Sequence, residues 1–166
     1  KGDSKTQGDY GEMNLEMLLE NSGLEKDVHY KLQKNFVVKD EDGTKTKRQR
    51  PDAIVELPQN RQIVIDSKFS FRSYNEYCAS DGEEERDKYG KEIVKNLKSR
   101  ITELSETKYS EINELNTPDM TFMFVGIDDT LSVALKYDRE LTAFANKKKI
   151  ALLSPTSLHI SIKMVE

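Results

Sequence analysis

The stretch from Arg50 to Phe71 constrains the fold more than any other part of the chain. It reads Arg-Pro-Asp-Ala-Ile-Val-Glu-Leu-Pro, then Gln59 to Gln62, then Ile-Val-Ile-Asp-Ser-Lys-Phe-Ser-Phe from Ile63 to Phe71. The pattern predicts two strands, Ala53 to Leu57 and Gln62 to Phe69, joined by a tight polar turn at Pro-Gln-Asn-Arg. Ile63, Val64 and Ile65 are consecutive apolar residues, which implies burial of the second strand on both faces. Asp66 and Lys68 follow at i and i+2, on one face of that strand. Asp52 stands just before the first strand. If the strands pair, Asp52 and Asp66 approach each other at one end of the sheet. Two carboxylates and an ammonium at the rim of a buried sheet are costly to desolvate unless a cation or partner compensates. The combination points to a divalent-cation site with a lysine beside it. A same-face salt pair at a strand end would explain Asp66 and Lys68 but not Asp52.

The rest of the composition narrows the function classes. With 166 residues the chain can bury a sizeable core as one domain. A net charge of −4 argues against a general nucleic-acid coat protein, so any DNA binding must come from a local basic surface. The single cysteine, Cys78, excludes an internal disulfide and fits a reducing compartment. There is no Cys/His cluster at zinc spacing. No apolar run reaches the length of a membrane-spanning helix, and no signal-peptide pattern is visible.

Pro51-Asp52 followed by Asp66-x-Lys68 resembles the PD-(D/E)xK nuclease motif, which is weak by itself. A longer string is more specific: Gly8-x-x-Gly11-Glu12-x-x-Leu15-Glu16, Ser22-Gly23-Leu24, Gln33, Arg50-Pro51-Asp52, Leu57-Pro58 and Ile65-Asp66-Ser67-Lys68. Tyr74, Leu104-Ser105, Lys108-Tyr109, Phe122-x-Phe124-Val125 and Ser154-Pro155-Thr156 continue it. In this order and spacing the residues resemble the core of the RmuC family, bacterial proteins linked to DNA recombination, over nearly the whole chain.

The resemblance implies a restriction-endonuclease-like α/β fold, a mixed sheet flanked by helices. It implies a metal-dependent deoxyribonuclease that hydrolyses phosphodiesters in duplex or structured DNA, using Mg²⁺ or Mn²⁺ and no small-molecule cofactor. Asp52, Asp66 and the Ser67 carbonyl would be metal ligands, with Glu12 binding directly or through water. Lys68 would orient the attacking water or stabilise the transition state. Family members carry an N-terminal membrane segment, a long coiled coil and further C-terminal sequence. The chain starts at Lys1, so the expectation is one domain over residues 8–166, after a disordered tail at 1–7, excised from a longer protein. That protein would lie in the bacterial cytoplasm, tethered to the inner membrane, and would form a homo-oligomer through its coiled coil. Two alternatives carry the same fold without cleavage: a catalytically silent DNA-binding module, and a structural assembly module that binds neither cation nor DNA.

Along the chain, Gly8 to Asn21 predicts a helix with Leu15, Leu18 and Leu19 on one stripe and a stop at Ser22-Gly23. Taken alone, Glu12 reads as a solvated first-turn glutamate; the family match at Gly11-Glu12 implies a third acidic group at the metal. Tyr30 to Val38 predicts a strand, and Asp42-Gly43 a hairpin turn. Lys45, Lys47, Arg48 and Arg50 crowd the return strand. They suit phosphate contacts as well as they suit an exposed edge guarded by lysines. Phe71, Tyr74 and Tyr77 suit base stacking, though core packing is the favoured reading. Asp81 to Glu85 reads as an acidic loop and Arg86 to Lys108 as a long helix. The positive positions of that helix, Lys91, Lys95, Lys98 and Arg100, form a solvated face or track a DNA backbone; Lys98 and Arg100 join the three hairpin residues as candidate DNA contacts. Thr121 to Gly126 predicts a buried strand. One helix follows, capped by Asp128 or Asp129 and running to about Asn146. Ile150 to Leu153 predicts a strand, and Ser154-Pro155 the start of a last helix.

Overall fold

A computed structural model describes residues 13–39, 42–43, 46–67, 71–107, 109, 112, 115–117 and 120–165. The expected N-terminal tail, Glu12, Lys45 and Lys68 lie outside these residues. In chain order the elements are α1 (residues 13–21), β1 (Tyr30–Leu32), β2 (Phe36–Lys39), β3 (Thr46–Gln49), β4 (Ala53–Leu57) and β5 (Arg61–Ser67). They continue with α2 (Phe71–Cys78), α3 (Glu83–Ser105), β6 (Thr121–Phe124), α4 (Asp128–Tyr137), α5 (Leu141–Lys147), β7 (Ile150–Leu153) and α6 (Pro155–Val165). A 3-10 turn, Pro58–Asn60, joins β4 to β5, with Gln59 at φ 64° and Asn60 at φ 58°.

The main sheet has five strands in the order β1-β4-β5-β6-β7. β1, β4 and β5 pair antiparallel, while β5, β6 and β7 pair parallel. The parallel half needs crossovers, and helices supply them: α2 and α3 between β5 and β6, α4 and α5 between β6 and β7. Alternation along β5 splits its apolar run between two cores. Val64 joins Ile54 and Met123 under α3, α4 and α5. Ile65 joins Ala53 and Phe124 under α1 and α6. The domain is thus a mixed sheet between two helical layers.

Several expectations need correction. Tyr30 to Val38 is two strands in two sheets, because Gln33 takes a left-handed conformation, φ 47°, and turns the chain out of the main sheet. The expected acidic loop is half helix: Glu83, Glu84 and Glu85 form the first turn of α3, where the helix dipole favours carboxylates. The helix expected from Asp128 to Asn146 breaks. Asp138 is extended, φ −144° and ψ 99°, and its Oδ1 accepts the Glu140 N–H at 2.9 Å. Asp128 does not cap α4. Its carboxylate instead accepts the Thr156 N–H at 3.0 Å and the Thr156 hydroxyl at 2.8 Å, at the start of α6. The α6 start is where Ser154-Pro155 put it, with the Ser157 hydroxyl accepting the Ser154 N–H at 2.8 Å.

Gly90, buried in the middle of α3, faces the ring of Tyr137. That ring is held at both ends: its hydroxyl donates to Asp87 Oδ1 at 2.8 Å, and Tyr77 meets it edge-on at 6.2 Å. A Cβ at residue 90 would overlap three ring atoms. Helix propensity favours alanine by about 1 kcal/mol, but overpacking against a fixed ring costs roughly 1–3 kcal/mol. Gly90→Ala is therefore expected to lower the melting temperature in a thermal scan; a rise would show that the ring moves aside freely.

Candidate acidic site at the end of the sheet

The β4–β5 register pairs Ala53 with Ile65. One step further along the same register, Asp52 comes alongside Asp66. Alternation puts Asp66 on the Val64 face, and Asp52 stands at the bend just before β4. The chain anchors each carboxylate differently. Asp52 Oδ2 accepts the N–H of Ser67, the last residue of β5, at 2.6 Å. Asp66 is 4 % exposed, and its Oδ2 accepts the Tyr109 hydroxyl at 3.0 Å. Burial first, and then the Asp66 charge, hold the Tyr109 phenol well above its ordinary range, with Asp52 adding to the effect. The phenol thus feels both carboxylates.

A cleft of about 460 Å³ opens in front of Asp52. Gln33 and Leu32 form one wall, and Met13, Leu15 and Glu16 of α1 form another. Asp66 lies outside that lining. A larger cleft, about 610 Å³, sits against Val55, Ile63, Phe122 and Leu158 and is lined mainly by apolar side chains. It holds neither Asp52 nor Asp66, so size alone does not mark the acidic site. Among the described residues no group of three or more His, Cys, Asp or Glu is gathered to hold a metal. Two carboxylates with main-chain oxygens are nonetheless hard ligands of the kind Mg²⁺ and Mn²⁺ take, and Mg²⁺ fills its other positions with water.

The basic candidates separate. β2 and β3 form their own two-stranded sheet, turned at Gly43, φ 66°. Its two roots adjoin the acidic site, since the Gln33 N–H donates to the Asp52 carbonyl at 3.0 Å and β3 leads through Arg50 into Asp52. Phe36 and Gln49 are its buried pair, and Gln49 Nε2 donates to the Thr107 carbonyl. Lys47, Arg48 and Arg50 are exposed and form no ion pair with a described residue. Lys98 and Arg100 do not share one open basic face. Lys98 Nζ meets Asp138 Oδ2 at 2.7 Å and lies over the Phe144 ring at 5.2 Å. The break after α4 is what brings Asp138 within its reach. Arg100 pairs with Glu103 at 3.2 Å on the helix surface. Tyr74 packs against the core, and its hydroxyl donates to Asp129 Oδ2 at 2.8 Å. Tyr77 packs there too. Sequence reasoning missed Tyr109 as the donor to Asp66 and Gln49 as the hairpin anchor. The signal for Tyr109 was its spacing with Ile112 and Leu115 beyond α3, and its place in the string of matched residues.

A mixed α/β sheet between helical layers, with an acidic pair at the strand ends, defines the class of domain. The RmuC family model matches residues 1–166, and the chain belongs to the RmuC family. It is 39 % identical over 166 residues to the DNA recombination protein RmuC homolog of Neisseria meningitidis serogroup A, covering 98 % of this chain and 27 % of that protein. It is 34 % identical to the RmuC homolog of Vibrio cholerae, over 100 % of this chain and 31 % of that protein. It is 33 % identical to the DNA recombination protein RmuC of Escherichia coli K12, over 99 % of this chain and 34 % of that protein. The chain therefore spans about a third or less of the length of these relatives. No solved structure gives a significant match. Among the described residues no helix is long and apolar enough to cross a membrane.

The Lys98–Asp138 pair gives a separable expectation. The Lys98 hydrogen bond first, and then the Glu140 N–H, hold Asp138 below the ordinary carboxylate range. A depressed carboxylate stabilises the fold above its unfolded pKa, and that contribution fades as pH falls through the folded value. Lys98→Ala should therefore lower stability at neutral pH by under about 1 kcal/mol, the pair being partly exposed. The difference from wild type should shrink in acid, and DNA affinity should be unchanged. Denaturant melts across pH and a low-salt DNA titration check both; lost DNA binding with intact stability would return Lys98 to the DNA surface.

Proposed function

We propose that this domain is a metal-dependent deoxyribonuclease of restriction-endonuclease-like type, acting in DNA recombination. One observation carries the reading: a single strand register sets Asp52 beside Asp66, at the root of a hairpin whose exposed Lys47, Arg48 and Arg50 lead into that same point. The relatives are named as DNA recombination proteins, which supports the biological setting.

In this reading Asp52, Asp66 and the Ser67 carbonyl hold Mg²⁺ or Mn²⁺, joined by Glu12. An ion held there would supply an acidified water and offset charge on the phosphate. The protein residues do the rest. Lys47, Arg48 and Arg50 grip backbone phosphates without reading bases, which sets the position of the duplex but not its sequence. Lys68 orients the water or steadies the transition state. Hydrolysis forms a bond from the water oxygen to phosphorus, breaks the bond from phosphorus to the leaving oxygen and gives that oxygen a proton.

A second reading, a silent DNA-binding module, draws on two observations. Asp66 is buried against a tyrosine hydroxyl, and the described residues gather no third acidic ligand. Cleavage separates the two. Wild-type protein should nick supercoiled or branched DNA in Mg²⁺ or Mn²⁺ and fail in Ca²⁺. Asp66→Asn should abolish nicking, because a neutral amide keeps the shape but loses the charge that holds a hard cation. Lys68→Ala should impair nicking while leaving Mn²⁺ binding intact or slightly stronger, since a neighbouring ammonium opposes the cation. DNA binding without cleavage would leave the silent module standing.

The hairpin has its own expectation. Replacing Lys47, Arg48 and Arg50 together by Ala should weaken DNA binding alike for all sequences and flatten its salt dependence. Fluorescence anisotropy at several salt concentrations measures both; unchanged slopes would move the DNA surface elsewhere.

A further inference from the structure

Asp66 is buried at the end of the central strand, and a buried carboxylate needs donors. Tyr109 provides one at 3.0 Å and is itself 5 % exposed. Its place is fixed from several sides. The ring belongs to the core cluster that holds Phe36 and Ile112. The Ile112 N–H donates to the Tyr109 carbonyl at 3.2 Å. Two residues earlier, the Thr107 carbonyl is gripped by Gln49 Nε2, from the buried face of the basic hairpin. Thr107 is also tied to α3, its hydroxyl donating to the Leu104 carbonyl at 2.6 Å. One short segment after α3 therefore touches the hairpin on one side and the carboxylate on the other.

We infer that Tyr109 is a positioning residue for the cation: its hydroxyl fixes the rotamer of the Asp66 carboxylate, and Gln49 fixes the segment that carries it. This rests on the reading of Asp66 as a cation ligand. Hydrogen bonds to ligating carboxylates orient them, and losing such a partner typically weakens metal binding about 10–100-fold. The hairpin link gives the arrangement its sense. The element that carries the phosphate contacts is tied, through Gln49 and Tyr109, to the carboxylate that faces the reacting phosphate.

The test uses Mn²⁺ in calorimetry and Tb³⁺ as a luminescent hard cation, which a tyrosine next to the ion sensitises. Wild type should bind both and emit on tyrosine excitation. Tyr109→Phe keeps the ring and loses the hydroxyl. It should bind Mn²⁺ about 10–100-fold more weakly, with most of the Tb³⁺ emission lost even at saturation. Asp66→Asn should lose both signals. Circular dichroism confirms that each variant is folded; if Tyr109→Phe does not fold, the wild-type signals decide, since Tb³⁺ bound without tyrosine-excited emission overturns the inference. Equal affinity and equal emission in wild type and Tyr109→Phe would overturn it while leaving the metal reading intact. No cation binding by wild type would overturn both.

Discussion

The structure depends on β5 being paired on both edges and covered on both faces. β4 pairs with Arg61–Ile65 on one edge and β6 with Ile65–Ser67 on the other, while the Gln62 N–H donates to the Asn116 carbonyl and the Ser67 N–H to Asp52. Covering both faces requires two helical layers, and the alternation of Val64 and Ile65 assigns one to each. The same burial makes Asp66 a demanding residue. A carboxylate continuing such a strand cannot be left to solvent, and the chain answers with a tyrosine from beyond α3. Core packing and site electrostatics are therefore one problem here.

The hairpin solves a second problem, that of placing positive charge beside an acidic site on a chain of negative net charge. The left-handed Gln33 lifts the chain out of the main sheet, and β3 returns it to the same point. Phe36 and Gln49 are held inward, while Val37 and Arg48, the neighbouring pair, face solvent. Arg50 stands two residues before Asp52, so the basic end of the hairpin reaches the acidic site while staying exposed. Lys98 is equally cationic but is spent on helix packing, because Asp138 sits at the corner between α4 and α5.

What the sequence discloses depends on how local the cause is. β4, β5, β7 and the start of α6 follow from apolar runs, flanking prolines and a Ser-Pro pair, all short-range signals, and they form close to where those signals lie. Asp52 beside Asp66 was legible for the same reason: one tight turn sets the register. The breaks at Gln33 and Asp138 were not. Neither position carries glycine or proline, and each depends on contacts made elsewhere, Gln33 on the Asp52 carbonyl and Asp138 on Lys98. The Tyr109–Asp66 bond spans 43 positions, and the Gln49–Thr107 bond 58, distances over which residue patterns carry no register. The Lys98–Asp138 pair is non-local in the same way, since the break after α4 that creates it leaves no mark on the charge pattern of α3.

The main sheet ends in very short strands, three residues in β1 and four in β7. An edge strand is the usual template on which a second chain adds a strand of its own, and length decides how well it holds. Edges this brief offer few free backbone groups and make poor templates for a strand from another molecule. Such a domain can stand close to copies of itself without its strands zipping together.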